Sequence, residues 1–195
     1  MYYCVILLLC MLNGGLSQIT LNGTCDGNVR PMDSFVTPEF AGDWYALESL
    51  GDGAFVGDCP TLMLRKRSRK VLTSTTVFYE DGQLRRVSNY AFTRKINNGN
   101  LNIKEYPFTT IHPNQPYLVF WVLDTDYTSY GFLYHCKQIT PETKTVYAWK
   151  FSTQKTLPEQ AKNKMDAIAG IHPELQNGPW KLYDHSNCNI TTILD

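Results

Sequence analysis

The sequence predicts an all-β fold: an eight-stranded antiparallel up-and-down barrel with one C-terminal α-helix packed on its outside. Three observations carry this expectation. Charged residues make up only 18 % of the 195 residues, while Tyr (12) and Phe (9) are plentiful, a composition that suits half-buried pleated strands better than a helix bundle. Between Gly42 and Thr153, short segments rich in β-branched and aromatic residues follow one another with turn chemistry between them and no intervening helix. Neighbours joined that way pair antiparallel, and closing the sheet removes its exposed edges.

Ahead of the strands, Val5 to Leu12 is an apolar run followed by Asn13, Gly14, Gly15, Leu16 and Ser17. The run is too short to span a bilayer, and small residues at Gly15 and Ser17 fit the minus-three and minus-one positions of a signal-peptidase site. Residues 1–17 are expected to be a secretory signal peptide and residues 18–195 a single domain, with its barrel over 42–153, its helix over 157–170 and a tail over 171–195. No other stretch approaches membrane length, so the expected product is secreted and extracellular. Cys4 and Cys10 leave with the signal. Cys25, Cys59, Cys136 and Cys188 remain, and in an oxidising compartment they argue two disulfides, with three connectivities open. None is close enough to another for a zinc knuckle, so no metal site is expected. Asn22-Gly23-Thr24 and Asn189-Ile190-Thr191 are glycosylation sequons, at Asn22 and Asn189. Eighteen Lys and Arg balance eighteen Asp and Glu, which leaves no electrostatic footprint for a phosphate backbone, so nucleic acid is not expected as a partner.

The strands are read in order. Gly42 to Leu50 is the first, Pro60 to Ser68 the second and Lys70 to Tyr79 the third, and Asp81-Gly82 then makes a hairpin turn. Leu84 to Lys95 ends at Asn97-Asn98-Gly99, and Leu101 to Phe108 ends before His112-Pro113-Asn114. Tyr117 to Leu123, Ser129 to Gln138 and Thr145 to Phe151 complete the eight, enough for a barrel that holds one small ligand. Thr156-x-x-Glu159 reads as a capping box, and Leu157, Ala161, Met165, Ile168 and Ala169 recur at helical spacing up to Gly170. That stripe needs a floor. The sixth strand is apolar on both faces, so the outside of the barrel supplies one.

Gly42-Asp43-Trp44-Tyr45 on the first strand resembles the G-x-W motif of the lipocalins, and Thr125-Asp126-Tyr127 after the sixth resembles their second motif. Trp121 to Cys136, with Ala148-Trp149, is similar to the arthropod branch that contains insecticyanin, bilin-binding protein and the apolipoprotein D and Lazarillo proteins. The resemblance implies that Trp44 plugs the closed end of the barrel and that Gly42 admits the chain into the strand. Thr125 and Asp126 supply acceptors for turn amides. The third motif of the family sets an Arg over the plugging Trp, whereas Thr153 occupies that position here and leaves Lys155 or Lys150 as candidate cations. The resemblance also implies Cys25 bonded to Cys136 and Cys59 to Cys188.

Alternation in a barrel fixes the inward set once one residue per strand is placed. Trp44 inward brings Ala46 and Glu48, and Cys136 outward leaves His135, Leu133 and Gly131 inside. By resemblance to bilin-binding proteins, Tyr147, Trp149, Leu118, Phe120, Val122, Thr76, Phe78, Val87, Asn89, Ala91 and Ile103 join them, with Glu105 following on the fifth strand. Trp121, Phe132 and Tyr134 then face outward beneath the helix. No His-Glu-x-x-His, Gly-x-Ser-x-Gly or unpaired Cys nucleophile is present, which favours a binding protein over an enzyme. The expected function is transport or sequestration of a fatty acid, sterol or similar lipid without a required cofactor. A bilin such as biliverdin is the alternative, and a glycosylated protein-interaction module with a cell-surface receptor is a third class.

Overall fold

A computed structural model of the chain describes residues 20–51, 57–94, 98–105, 118–188 and 190. The expected signal peptide, the expected fifth strand beyond Glu105 and the sequon residue Asn189 lie outside them. In chain order the elements are β1 (Thr20–Asn22), a 3-10 turn (Thr37–Phe40), β2 (Gly42–Leu50), β3 (Asp58–Lys66), β4 (Val71–Glu80), β5 (Gln83–Thr93), β6 (Asn100–Glu105), β7 (Leu118–Thr125), β8 (Tyr130–Thr140), β9 (Thr143–Ser152), α1 (Glu159–Gly170), α2 (Pro173–Gln176) and β10 (Trp180–Leu182). Strands β2 to β9 pair with their chain neighbours antiparallel, and β9 closes on β2. This is the eight-stranded barrel that the sequence predicts. Asp81 and Gly82, at φ 52° and 72°, make the two-residue turn between β4 and β5.

Two short strands are additions. β9 pairs with β2 only over Ala148 to Ser152, and β1 covers its free edge at Thr143 to Thr145. Likewise β3 follows β2 only as far as Tyr45, and β10 takes up residues 48–50. Three residues carry no readable periodicity, and these strands exist because staggered closure leaves two edges to be paired. Between β3 and β10 the carbonyls of Ala46 and Leu47 have no ladder partner. The tail supplies one to each: His185 Nε2 lies 2.9 Å from the Ala46 oxygen, and the Tyr183 amide donates to Leu47 at 2.9 Å.

The register of β2 shifts between Ala46 and Glu48, a bulge that corrects the expected position of Glu48. Trp44 and Ala46 face the interior, but Glu48 pairs with Lys150 on the outer face. There the Lys150 ammonium donates to Glu48 at 2.6 Å and to Asp166 of α1 at 2.5 Å, and stands 4.6 Å over the Trp180 ring. Lys155 donates to the Cys188 carbonyl at 2.9 Å. Neither lysine serves the closed end. Trp44 is instead covered by Phe40, whose ring lies 5.0 Å away and whose carbonyl accepts the indole N–H at 3.1 Å.

Helix α1 lies on the outside, with Ala161, Met165 and Ala169 buried and Leu157 and Ile168 packed beside them over Phe132, Tyr134 and Trp121. Its expected capping box does not form. Pro158 is the N-cap and makes no side-chain cap, while the Thr156 carbonyl accepts from the Ser152 hydroxyl at 3.3 Å. A proline at the cap fixes the entry without a donated hydrogen bond.

The segment before β2 seals one end of the barrel. Met32 inserts between β7 and Gly99 through Met32 N to Val122 O and Gly99 N to Met32 O, and Phe35 and Phe40 are buried against Trp44. Gly131 leaves room for Phe40, whose ring stands 2.9 Å from where a Cβ would be. The adjoining turn is held by Asp126, which accepts from the amides of Thr128, Ser129 and Tyr130 at 3.0, 2.7 and 3.1 Å and from the Ser129 hydroxyl. Thr125 accepts from Tyr127 N at 2.9 Å. Desolvation alone would raise the Asp126 pKa, but these hydrogen bonds outweigh it and hold the carboxyl at about 2.

Because that folded-state value is depressed, the contribution of the turn is complete above the unfolded value near 3.8 and is lost as pH falls towards 2. Asp126→Asn is therefore expected to cost on the order of 1 kcal/mol at neutral pH, after discounting for screening at an exposed carboxylate. Melting temperatures of variant and wild type should converge as pH approaches 2. A gap independent of pH would show that shape, not charge, holds the turn.

Candidate ligand-binding site

The barrel interior is graded from a packed floor to an accessible mouth. Trp44, Ala46, Leu64, Leu72, Ala91 and Phe151 are buried at the closed end. Val87 and Leu118 are 45 % and 50 % exposed, which places them at the rim. An interior reached from one end suits a ligand that enters lengthwise and sheds water as it goes.

Pairing fixes which side chains share this interior. Leu133 lies opposite Trp149, His135 opposite Tyr147 and Val122 opposite Leu133, while Phe120 is opposite Leu101. On the facing wall Thr76 is opposite Val87, Ser74 opposite Asn89, Leu72 opposite Ala91 and Ala91 opposite Ile103. Phe78 continues the β4 phase towards the mouth. The thirteen residues expected to line the ligand site thus fall on the inward phase, whereas Glu48, also expected inside, faces out. Glu105 takes the register position opposite Asn89, and its side chain lies outside the described residues. Sequence reasoning missed Leu62, Leu64, Leu72, Ser74 and Leu101, all buried. The alternation Leu62/Leu64 and Leu72/Ser74/Thr76 was the available signal, and it needed one anchored residue on β3.

The wall formed by β7, β8 and β9 is aromatic. Tyr147 and Trp149 stack with rings 6.1 Å apart at 7°, His135 and Tyr147 at 5.9 Å and 18°, and Phe120 sits 5.2 Å from His135 and 5.4 Å from Trp149. His135 Nδ1 lies 2.7 Å from the Val119 carbonyl. A carbonyl only accepts, so Nδ1 carries the proton and Nε2 is left as an acceptor. Burial lowers the His135 pKa, against the Val119 hydrogen bond that raises it, and keeps the ring neutral. The opposite wall carries small polar groups in Ser74, Thr76 and Asn89. Apolar area supplies affinity in such a site, and a few polar groups orient the ligand.

The two disulfides join Cys25 to Cys136 and Cys59 to Cys188. They tie the N-terminal segment and the tail to the outside of the barrel and leave its interior clear. Among the described residues no group of three or more His, Cys, Asp or Glu is arranged to hold a metal ion, and no helix is long and apolar enough to cross a membrane.

Residues 41–173 match the family described as lipocalin / cytosolic fatty-acid binding protein. The chain belongs to that family. This lipocalin is 25 % identical over 193 residues to apolipoprotein D of Cavia porcellus, an alignment that covers 94 % of this chain and 96 % of that protein. Insecticyanin from the tobacco hornworm Manduca sexta shares the fold with a TM-score of 0.72 at 22 % identity, over 87 % of this chain and 90 % of that one. H1 crustacyanin from the lobster Homarus americanus does so with a TM-score of 0.68 at 18 % identity, over 89 % and 94 %. Lipocalins are non-enzymatic proteins that bind small hydrophobic ligands.

Proposed function

We propose that the protein is a secreted carrier that transports or sequesters a fatty acid, sterol or similar lipid in the barrel. The signal peptide expected over residues 1–17, one domain over 18–195, two disulfides and sequons at Asn22 and Asn189 support an extracellular life; Asn22 is exposed on β1. The reading rests on one observation: an apolar interior, aromatic on β7 to β9, faced by a thin polar set on β4 and β5. The binding residues are Thr76, Phe78, Val87, Asn89, Ala91, Ile103, Leu118, Phe120, Val122, Leu133, His135, Tyr147 and Trp149.

A tetrapyrrole such as biliverdin is the second reading, favoured by the stacked column of His135, Tyr147 and Trp149. Glu48 on the outer face removes one of two carboxylates that would repel its propionates.

Titrating the Trp fluorescence of delipidated protein with a fatty acid, a retinoid and biliverdin separates these. A lipid is expected to quench Trp149, and Tyr147→Ala to weaken binding about tenfold, roughly 1.4 kcal/mol. Submicromolar biliverdin binding with an induced visible circular dichroism band would reverse the ranking. No response to any of the three would count against a carrier.

A further inference from the structure

Five of the six residues from Arg65 to Lys70 are cations: Arg65, Lys66, Arg67, Arg69 and Lys70. They form the end of β3, the following turn and the approach to β4, and every residue from 65 to 70 is exposed. Leu64 pairs with Gly42 and Lys66 with Leu72, so this turn stands at the sealed end of the barrel, away from the mouth. The backbone holds it firmly, since the amides of Arg67 and Ser68 both donate to the Val71 carbonyl, at 2.9 and 3.0 Å. The charges are displayed on a fixed hairpin.

In a chain with zero formal charge this concentration is local, and a Debye length of about 8 Å at physiological salt keeps it so. Arg65 meets Asp43 at 2.7 Å with both side chains well exposed, a pair that water weakens. Among the described residues no carboxylate pairs with Lys66, Arg67, Arg69 or Lys70. The Lys70 ammonium lies 3.4 Å from the Arg94 carbonyl, which brings exposed Arg94 to the same rim. Beside the hairpin, Lys66 and Arg69 line an open cleft of about 460 Å³ with Val36, Pro38 and Glu39. It sets two cations against one carboxylate.

Like charges held this close repel one another, and a polyanion relieves them. We infer that the hairpin docks a sulfated polysaccharide, with sulfates paired to Lys66, Arg67, Arg69 and Lys70 and forked hydrogen bonds from the arginines. Two features separate this partner from other polyanions. The exposed large apolar residues among those described are Leu84, Val87, Leu118, Ile139, Ile171 and Leu182, none of them on the hairpin, so the wedge that seats an interfacial segment in a bilayer is missing. No aromatic ring stands among residues 65–70 to stack on the bases of a single-stranded nucleic acid. Docking at the sealed end leaves the mouth open, so the protein can be held on a matrix while it loads and releases its ligand.

The test is binding of the full protein to immobilised heparin at about 0.15 M salt, beside fully desulfated heparin, phosphatidylserine vesicles and double-stranded DNA. Wild type is expected to bind heparin in a salt-dependent way. The variant with Lys66→Gln, Arg67→Gln, Arg69→Gln and Lys70→Gln should lose about tenfold or more in affinity, while Arg85→Gln with Arg86→Gln, near the mouth, leaves it unchanged. Should the quadruple variant melt at a lower temperature, the pairs Lys66→Gln/Arg67→Gln and Arg69→Gln/Lys70→Gln carry the test, each losing part of the affinity. No binding to heparin, binding that survives these substitutions, equal binding to desulfated heparin, or tighter binding to vesicles or DNA overturns the inference.

Discussion

Removing either disulfide, as the Cys25→Ala/Cys136→Ala or the Cys59→Ala/Cys188→Ala double variant, is expected to destabilise the fold by about 4–5 kcal/mol. The bridges span 111 and 129 residues. By the chain-entropy account, loops of that size give the unfolded chain much freedom once opened. The corresponding fall in melting temperature is about 10–20 °C per bridge. The two losses differ in place. Without Cys59–Cys188 the tail that caps the Ala46 and Leu47 carbonyls is free to leave, so amide exchange should rise along β10 and at Tyr183. Without Cys25–Cys136 it should rise at Met32 and Gly99, where the N-terminal segment seals the barrel. Thermal unfolding and hydrogen exchange of the two variants check this, and an unchanged midpoint would show that the bridges constrain little.

Lys150→Met is expected to cost about 3 kcal/mol, because it leaves a carboxylate buried without its cation. The side chains of Lys150 and Glu48 are only 4 % and 13 % exposed, so water cannot replace the ammonium at Glu48. Asp166 is more exposed and keeps Lys162 as a partner. Adding Glu48→Gln to Lys150→Met removes the orphan charge and should recover part of the loss, which chemical denaturation can measure as a double-mutant cycle. A loss below about 0.5 kcal/mol, the scale of an exposed pair, would mean that water reaches the site. The expected cost arises between barrel and helix, not over Trp44.

Much of the fold was legible because strand alternation and turn residues are local signals. Gly42 to Leu50 is a strand with those bounds, Asp81-Gly82 is the turn, and Trp121, Phe132 and Tyr134 form the floor of α1. The inward phase of β8 followed from one outward cysteine, whereas that of β7 and β9 came from the resemblance to bilin-binding proteins. Glu48 was misplaced because a bulge adds one residue to one strand of a pair, and nothing in Ala-Leu-Glu-Ser marks it. The capping box failed for a related reason: Thr156 spaces correctly from Glu159, but the chain enters the helix through Pro158.

By itself the sequence determined the all-β class, the order of the eight strands, the amphipathic helix and the motifs that point to a lipocalin, since each depends on residues close together in the chain. Only the tertiary structure decided the pairings of β1 and β10, the bulge that turns Glu48 towards Lys150, the Phe40 lid over Trp44 and the aromatic column of Phe120, His135, Tyr147 and Trp149. These depend on how far the sheet is staggered when it closes, and stagger is set by all eight strands together.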